Sequence, residues 1–147
     1  MRIRRATEED VPAIVALLAQ DVLGATRESP DDLTPYRQAF QGIDSDRNQF
    51  LAVAVRDGEV VGTLQLTYLP GLSRMGGTRA QIEAVRVRAT ERGTGLGSRL
   101  ITWAVDQARE RGCILVQLTT DTTRTDAQRF YEQLGFTASH VGFKLTL

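Results

Sequence analysis

Between Glu91 and Leu100 the chain reads ERGTGLGSRL, with Gly93, Gly95 and Gly97 at alternate positions behind Arg92. A strand-like run precedes this stretch and a helix-like pattern follows it. A glycine-rich turn that opens a helix is an arrangement suited to phosphate. The first helical N–H groups lack internal partners, and the helix dipole adds partial positive charge there. Glycines let phosphate oxygens approach the backbone and tolerate unusual φ/ψ. Two known phosphate patterns fail on these residues. The P-loop needs a lysine after its last glycine, and none follows here. The dinucleotide fingerprint needs Gly or Ala at its last position, but counting from Gly93 ends on Ser98 and from Gly95 on Leu100.

The stretch does match a third pattern, Arg/Gln-x-x-Gly-x-Gly/Ala, as Arg92-Gly93-Thr94-Gly95-Leu96-Gly97. IEAVRV stands upstream at 82–87 and FYEQLGF downstream at 130–136. On these three motifs and the order of its elements, the sequence resembles the GNAT superfamily of acyl-CoA-dependent N-acyltransferases. The resemblance covers essentially the whole chain. It implies that the turn cradles the pyrophosphate of acetyl-CoA through Arg92, Gly93, Thr94, Gly95, Leu96, Gly97 and Ser98. A plain surface turn with a helix cap would explain one glycine, not three with an arginine.

Acyl transfer from a thioester to an amine poses two proton problems. The amine must lose a proton before it attacks, and the departing thiolate is best protonated as it leaves. Glu83, a carboxylate inside a β-rich run, is costly to bury unless paired or functional. The resemblance makes it the general base, directly or through water; the alternative is an ion pair with Arg79, Arg86 or Arg88. Period-2 alternation sets Glu83, Val85 and Val87 on one face and Ile82, Ala84 and Arg86 on the other. The resemblance further implies that the pantetheine arm pairs with the backbone of Val85, Arg86 and Val87, and that the amide near Val85 polarises the thioester carbonyl. It makes Tyr131 the acid that protonates the sulfur, against a packing role among Phe130, Leu134 and Phe136. Arg129 is a candidate phosphate contact or a solvated helix residue. One departure is visible: the loop TTDTTRTDAQ at 119–128 lacks the asparagine many relatives carry there, leaving Thr119, Thr120 or Asp126 to substitute.

Other residues offer less. His140, the one histidine, is far in sequence from the motif. Cys113 opens a buried-type strand and reads as a small apolar filler. Trp103 falls on an apolar helix stripe and reads as core. No His/Cys/Asp cluster has metal-ligand spacing, so no metal is expected. The acceptor amine, a small molecule or peptide, should meet the variable loops. DVLGATRESPDDL carries Asp21, Glu28, Asp31 and Asp32, which suits a cation; YLPGLSRMGGT carries Arg74, which suits a carboxylate. The two cues disagree.

The elements that must position these residues follow from patterning. The chain has 147 residues, zero formal net charge and one cysteine, so a single domain over 1–147 without a disulfide is expected, with a cytoplasmic setting. The balanced charge gives no case for nucleic-acid binding, and no apolar run is long enough to suggest a membrane partner. Val11, Ile14, Val15 and Leu18 form one helix face, and Leu96, Leu100, Trp103, Ala104 and Ala108 another. Asp57-Gly58 between two β-rich runs signals a type I′ hairpin. FTASH and VGFKLTL read as a final strand pair, whose edge is open to pairing in a homodimer. The expected fold is therefore α/β of GNAT type: a mixed, mostly antiparallel sheet of six to seven strands flanked by about four helices. Two further readings stand beside the acetyltransferase. One is an acyl-CoA-binding sensor or regulatory module without catalysis; the other is an unrelated nucleotide-binding protein.

Overall fold

A computed structural model describes residues 1–21 and 23–147; Val22, within the stretch read as the first loop, lies outside the described residues. Two compact units are present, Met1–Gln117 and Leu118–Leu147. The first holds β1 (Arg2–Arg5), α1 (Val11–Ala19), α2 (Thr34–Ser45), β2 (Gln49–Arg56), β3 (Glu59–Leu69), a single turn α3 (Ser73–Gly76), β4 (Arg79–Val87) and α4 (Leu96–Glu110). β5 (Leu115–Leu118) follows, and α5 (Thr125–Gln133) lies in the second unit. In α3, Arg74 and Met75 have φ of 55° and 58°, so the turn is left-handed.

The sheet runs β1-β2-β3-β4-β5 in chain order, with antiparallel pairing from β1 through β4. Asp57 and Gly58 both have positive φ, 52° and 80°, which makes the tight turn the sequence predicts between Arg56 and Glu59. Alternation along β2 and β3 divides the core. Val53 and Val60 pack with Val11, Ile14, Val15, Leu17 of α1 and Phe40 of α2. On the opposite face, a Cβ at Gly62 would come within 3.0 Å of Leu100, so α4 lies against β3 there. Leu96, Leu100, Ile101, Ala104 and Ala108 are its buried stripe. Ile101 takes the core place expected of Trp103. The indole is half-buried and meets Phe50 edge-to-face at 5.1 Å.

Asp10 ties the turn that leads into α1 to β1. Asp10 accepts from the Thr7 N–H (2.7 Å) and from both Arg4 nitrogens (2.7 and 3.1 Å). The Arg4 guanidinium holds the buried Asp10 carboxyl below the ordinary carboxylate range, against the opposing effect of burial.

The sheet has five strands, not six to seven. Residues 136–147 form no strand, and Val141, Phe143, Leu145 and Leu147 are 81%, 92%, 86% and 112% exposed. Their alternation is strand-like, but within this chain their side chains bury nothing that would repay ordering them. Among the described residues no helix is long and apolar enough to cross a membrane.

Candidate functional site

The site begins with an irregularity in β4. Thr63 pairs with Arg86, but two residues on, Gln65 pairs with Glu83. β4 thus carries one extra residue, and Ala84 absorbs it in the left-handed region at φ 53°. The bulge corrects the simple alternation. Glu83 shares a face with Gln65 and Arg86 with Thr63, so Glu83 and Arg86 stand on one face. This is the face toward α1: Thr63, Gln65 and Ala84 line an apolar cavity of about 110 Å³ with Val15, Tyr36 and Phe40.

Glu83 is exposed, not buried. Its partner is Gln81, which donates to Glu83 Oε1 at 2.7 Å. Gln81 in turn accepts from Gln117 (2.8 Å), and Gln117 accepts from Arg79 (3.2 Å). A one-way chain of donors therefore runs from a guanidinium to the carboxylate and aligns their dipoles. The ion pairs offered as an alternative do not form. Arg79 is on Gln117, Arg88 is on Glu59 at 2.6 Å, and Arg86 is on Asp21 at 3.1 Å. The Arg86 guanidinium also donates to the Val85 carbonyl (2.9 Å), so its side chain is engaged and only its backbone is left for a cofactor. Val85 and Val87 beside it are half-buried.

The glycine turn follows directly. Gly93 and Gly95 have φ of 78° and 82°, conformations that disfavour any side chain. A Cβ added to either would meet no atom within 4 Å, so the space above them is open. Residues 92–95 are exposed, Gly97 and Ser98 are half-buried, and Leu96 is buried in the core, where only its amide can serve a ligand. The α4 ladder starts with the Arg99 N–H on Gly95 O (3.1 Å), so the Leu96, Gly97 and Ser98 amides precede it. Thr94 Oγ1 donates back to Glu91 O at 2.6 Å, which tightens the turn. Glu91 is ion-paired to Arg56, and Arg88 to Glu59, so both shoulders of the turn are tied to the β2–β3 hairpin. Arg92 makes no ion pair among the described residues.

The acidic loop proves less free than its composition suggests. Asp21 is on Arg86, Glu28 accepts from the Tyr36 hydroxyl (3.1 Å), and Asp32 accepts from the Thr34 N–H (3.1 Å). Arg74 is exposed on the α3 turn. Burial pushes the Cys113 thiol up, the reverse of an activated nucleophile. No group of three or more His, Cys, Asp or Glu among the described residues is placed to hold a metal ion.

In the second unit Tyr131 is half-buried on α5. Its ring meets Phe130 at 5.1 Å and Phe136 at 5.9 Å, both edge-to-face. Gly135, at φ 95°, turns the chain so that the Phe136 N–H reaches Tyr131 O at 3.1 Å. Arg129 is exposed on the same helix. In the loop that lacks the family asparagine, Asp121 Oδ1 accepts from the Thr123 amide (2.9 Å) and hydroxyl (2.6 Å).

Sequence reasoning missed the Asp21–Arg86 pair, the Arg79–Gln117–Gln81 chain and the bulge. Gln81 two places before Glu83 was a readable sign of a polar face. Nothing in an alanine announces a left-handed residue.

A sequence profile of the acetyltransferase (GNAT) family matches residues 14–136. The aminoalkylphosphonate N-acetyltransferase of Salmonella typhimurium is 32% identical over 148 residues, spanning 99% of this chain and 90% of that protein. A Bacillus halodurans protein described as a transcriptional regulator has a crystal structure that matches with a TM-score of 0.96 at 50% identity, over 99% of each chain. A putative acetyltransferase from Agrobacterium tumefaciens matches with a TM-score of 0.87 at 26% identity, over all of both chains.

Proposed function

The chain belongs to the acetyltransferase (GNAT) family, and from that premise we propose that it moves the acetyl group of acetyl-CoA to a primary amine by direct attack, as one catalytic domain over residues 1–147. The observation that carries this reading is the open turn at Gly93 and Gly95, left-handed at both glycines, flanked by Arg92 and the first amides of α4. These residues fit a pyrophosphate: the space is clear, the first amides of α4 lie before its hydrogen-bond ladder, and Arg92 adjoins the turn in sequence. Bound there, acetyl-CoA would supply the activated acyl group; the residues do the rest.

Glu83 takes a proton from the acceptor's ammonium group, directly or through a water, and so frees the neutral amine to attack, and the Gln81 amide holds its carboxylate in place. The Val85 amide steadies the negative charge that develops on the carbonyl oxygen. Tyr131 gives its hydroxyl proton to the departing sulfur. The roles of Val85 and Tyr131 rest on the resemblance and on each residue's own surroundings. Backbone at Arg86 and Val87 and the Arg129 guanidinium complete the proposed cofactor set. No metal takes part in this scheme, and a cytoplasmic location belongs to the same reading.

For the acceptor, the structure weakens one of the two cues. Three of the four loop acids already have partners, whereas Arg74 is exposed. With the Salmonella relative's name beside this, an amine bearing an anionic group heads the panel, aminoalkylphosphonates first. The decisive experiment is calorimetric titration with acetyl-CoA of the wild type and of Gly95→Trp, with ATP and NAD as controls. Micromolar binding of acetyl-CoA alone, lost in the variant, supports the reading; a folded wild type that binds none overturns it.

A second reading, a non-catalytic acyl-CoA sensor, draws on the description of the Bacillus halodurans protein as a transcriptional regulator. Tight CoA binding without transfer to any amine in the panel would favour it.

A further inference from the structure

β4 presents polar side chains in a row before its bulge. Arg79, Gln81 and Glu83 alternate with the buried Ala80 and Ile82, so they share one face of the sheet. The register with β3 is unbroken from Gln65↔Glu83 to Leu69↔Arg79, and the bulge at Ala84 lies beyond it. Gln117 stands on β5, the neighbouring strand, and belongs with the other three to the first unit.

The ends of this row differ in kind from its middle. A guanidinium only donates hydrogen bonds, and an ionised carboxylate only accepts them. A carboxamide does both and can be turned end for end. Arg79 donates to Gln117 Oε1 at 3.2 Å, Gln117 Nε2 to Gln81 Oε1 at 2.8 Å, and Gln81 Nε2 to Glu83 Oε1 at 2.7 Å. The donor-only end therefore fixes which way both amides face. Were Gln81 reversed, its oxygen would meet the carboxylate. Glu83 is exposed and has Gln81 as its hydrogen-bond partner among the described residues, so its aim depends on that amide. Arg79 makes no ion pair among the described residues, and its donor is given to the row instead.

On the reading of Glu83 as general base, we propose that Arg79 and Gln117 are positioning residues for acyl transfer. They act through Gln81, holding its N–H and not its oxygen against Glu83. Arg79 is four residues from Glu83 along the strand, about 13 Å, so its effect passes through the amides and not by contact.

Gln117→Glu separates positioning from packing. The introduced carboxylate keeps the size of the side chain and accepts from Arg79 as an ion pair, so the melting temperature should hold or rise. It has no N–H for Gln81, whose amide should turn to serve it and show its oxygen to Glu83. Turnover should fall about tenfold with acetyl-CoA affinity unchanged. Arg79→Met should give a similar loss, and Arg79→Lys, which restores a donor-only cation, should recover most of it. In proton–nitrogen correlation spectra the Gln81 side-chain amide signals should move in Gln117→Glu and Arg79→Met and return toward their wild-type positions in Arg79→Lys. Kinetics of Glu83→Gln run beside these variants. A wild type inactive on the whole amine panel, or a Glu83→Gln that turns over like wild type, removes the general-base reading and the relay's role with it. A slow Glu83→Gln beside a fully active Gln117→Glu or Arg79→Met overturns the relay alone, as do Gln81 amide signals that stay in place.

Discussion

Glu83 and Arg86 stand on the same face of β4, three residues apart, because Ala84 is inserted between them in a left-handed conformation. Regular alternation would have put them on opposite faces. The insertion brings a carboxylate, the Asp21–Arg86 ion pair and the mouth of an apolar cavity to one side of the sheet.

Ala84→Val should therefore lower stability by about 1–2 kcal/mol, since a β-branched residue is strained at positive φ. Ala84→Gly should be neutral or slightly stabilising. Thermal unfolding of the two variants checks this. A Val variant as stable as wild type would show that the bulge is not held in solution.

Glu83→Gln should reduce turnover about 10²–10⁴-fold while leaving acetyl-CoA affinity unchanged, as expected for a lost general base. Gln81→Leu should lower turnover by less, through loss of the donor that orients the carboxylate. Steady-state kinetics with an amine from the panel, beside calorimetry with acetyl-CoA, separate the two effects.

Arg92→Ala should weaken acetyl-CoA binding about tenfold or more through loss of a charge-assisted contact to phosphate, with little change in melting temperature. The side chain is exposed and makes no ion pair among the described residues, so the fold loses nothing with it. Equal loss of dephospho-CoA and CoA binding would place the contact at the pyrophosphate.

Asp10→Asn should cost about 2 kcal/mol at neutral pH by breaking the charge-assisted bonds from Arg4. The sign of the pH dependence follows from the lowered folded-state pKa. The stabilisation is full above the ordinary value of 3.8 and is lost as pH falls through the folded one. Chemical denaturation of wild type and variant should show a gap that is wide at pH 7 and closes in acid.

Tyr131→Phe should keep the ring contacts with Phe130 and Phe136. Turnover should fall where thiolate departure limits the rate. A variant with full activity would reduce Tyr131 to a packing residue.

By itself the sequence determined whatever depends on local chemistry. The hairpin at Asp57-Gly58 and the stripes of α1 and α4 follow from backbone preference and period. So does the Arg92–Ser98 turn, whose glycines at 93 and 95 take the positive φ that only glycine adopts without strain. The tertiary structure alone decided what depends on residues distant in sequence. The partner of Arg86 is Asp21, and the donor to Gln81 is Gln117, pairings no spacing rule could supply. The bulge at Ala84 arises from the register between two strands, and register is a property of the pair. The final strands show the same division: the alternation of Val141, Phe143, Leu145 and Leu147 was legible, but a strand forms only where a neighbour accepts its backbone, and among the described residues 136–147 form no strand.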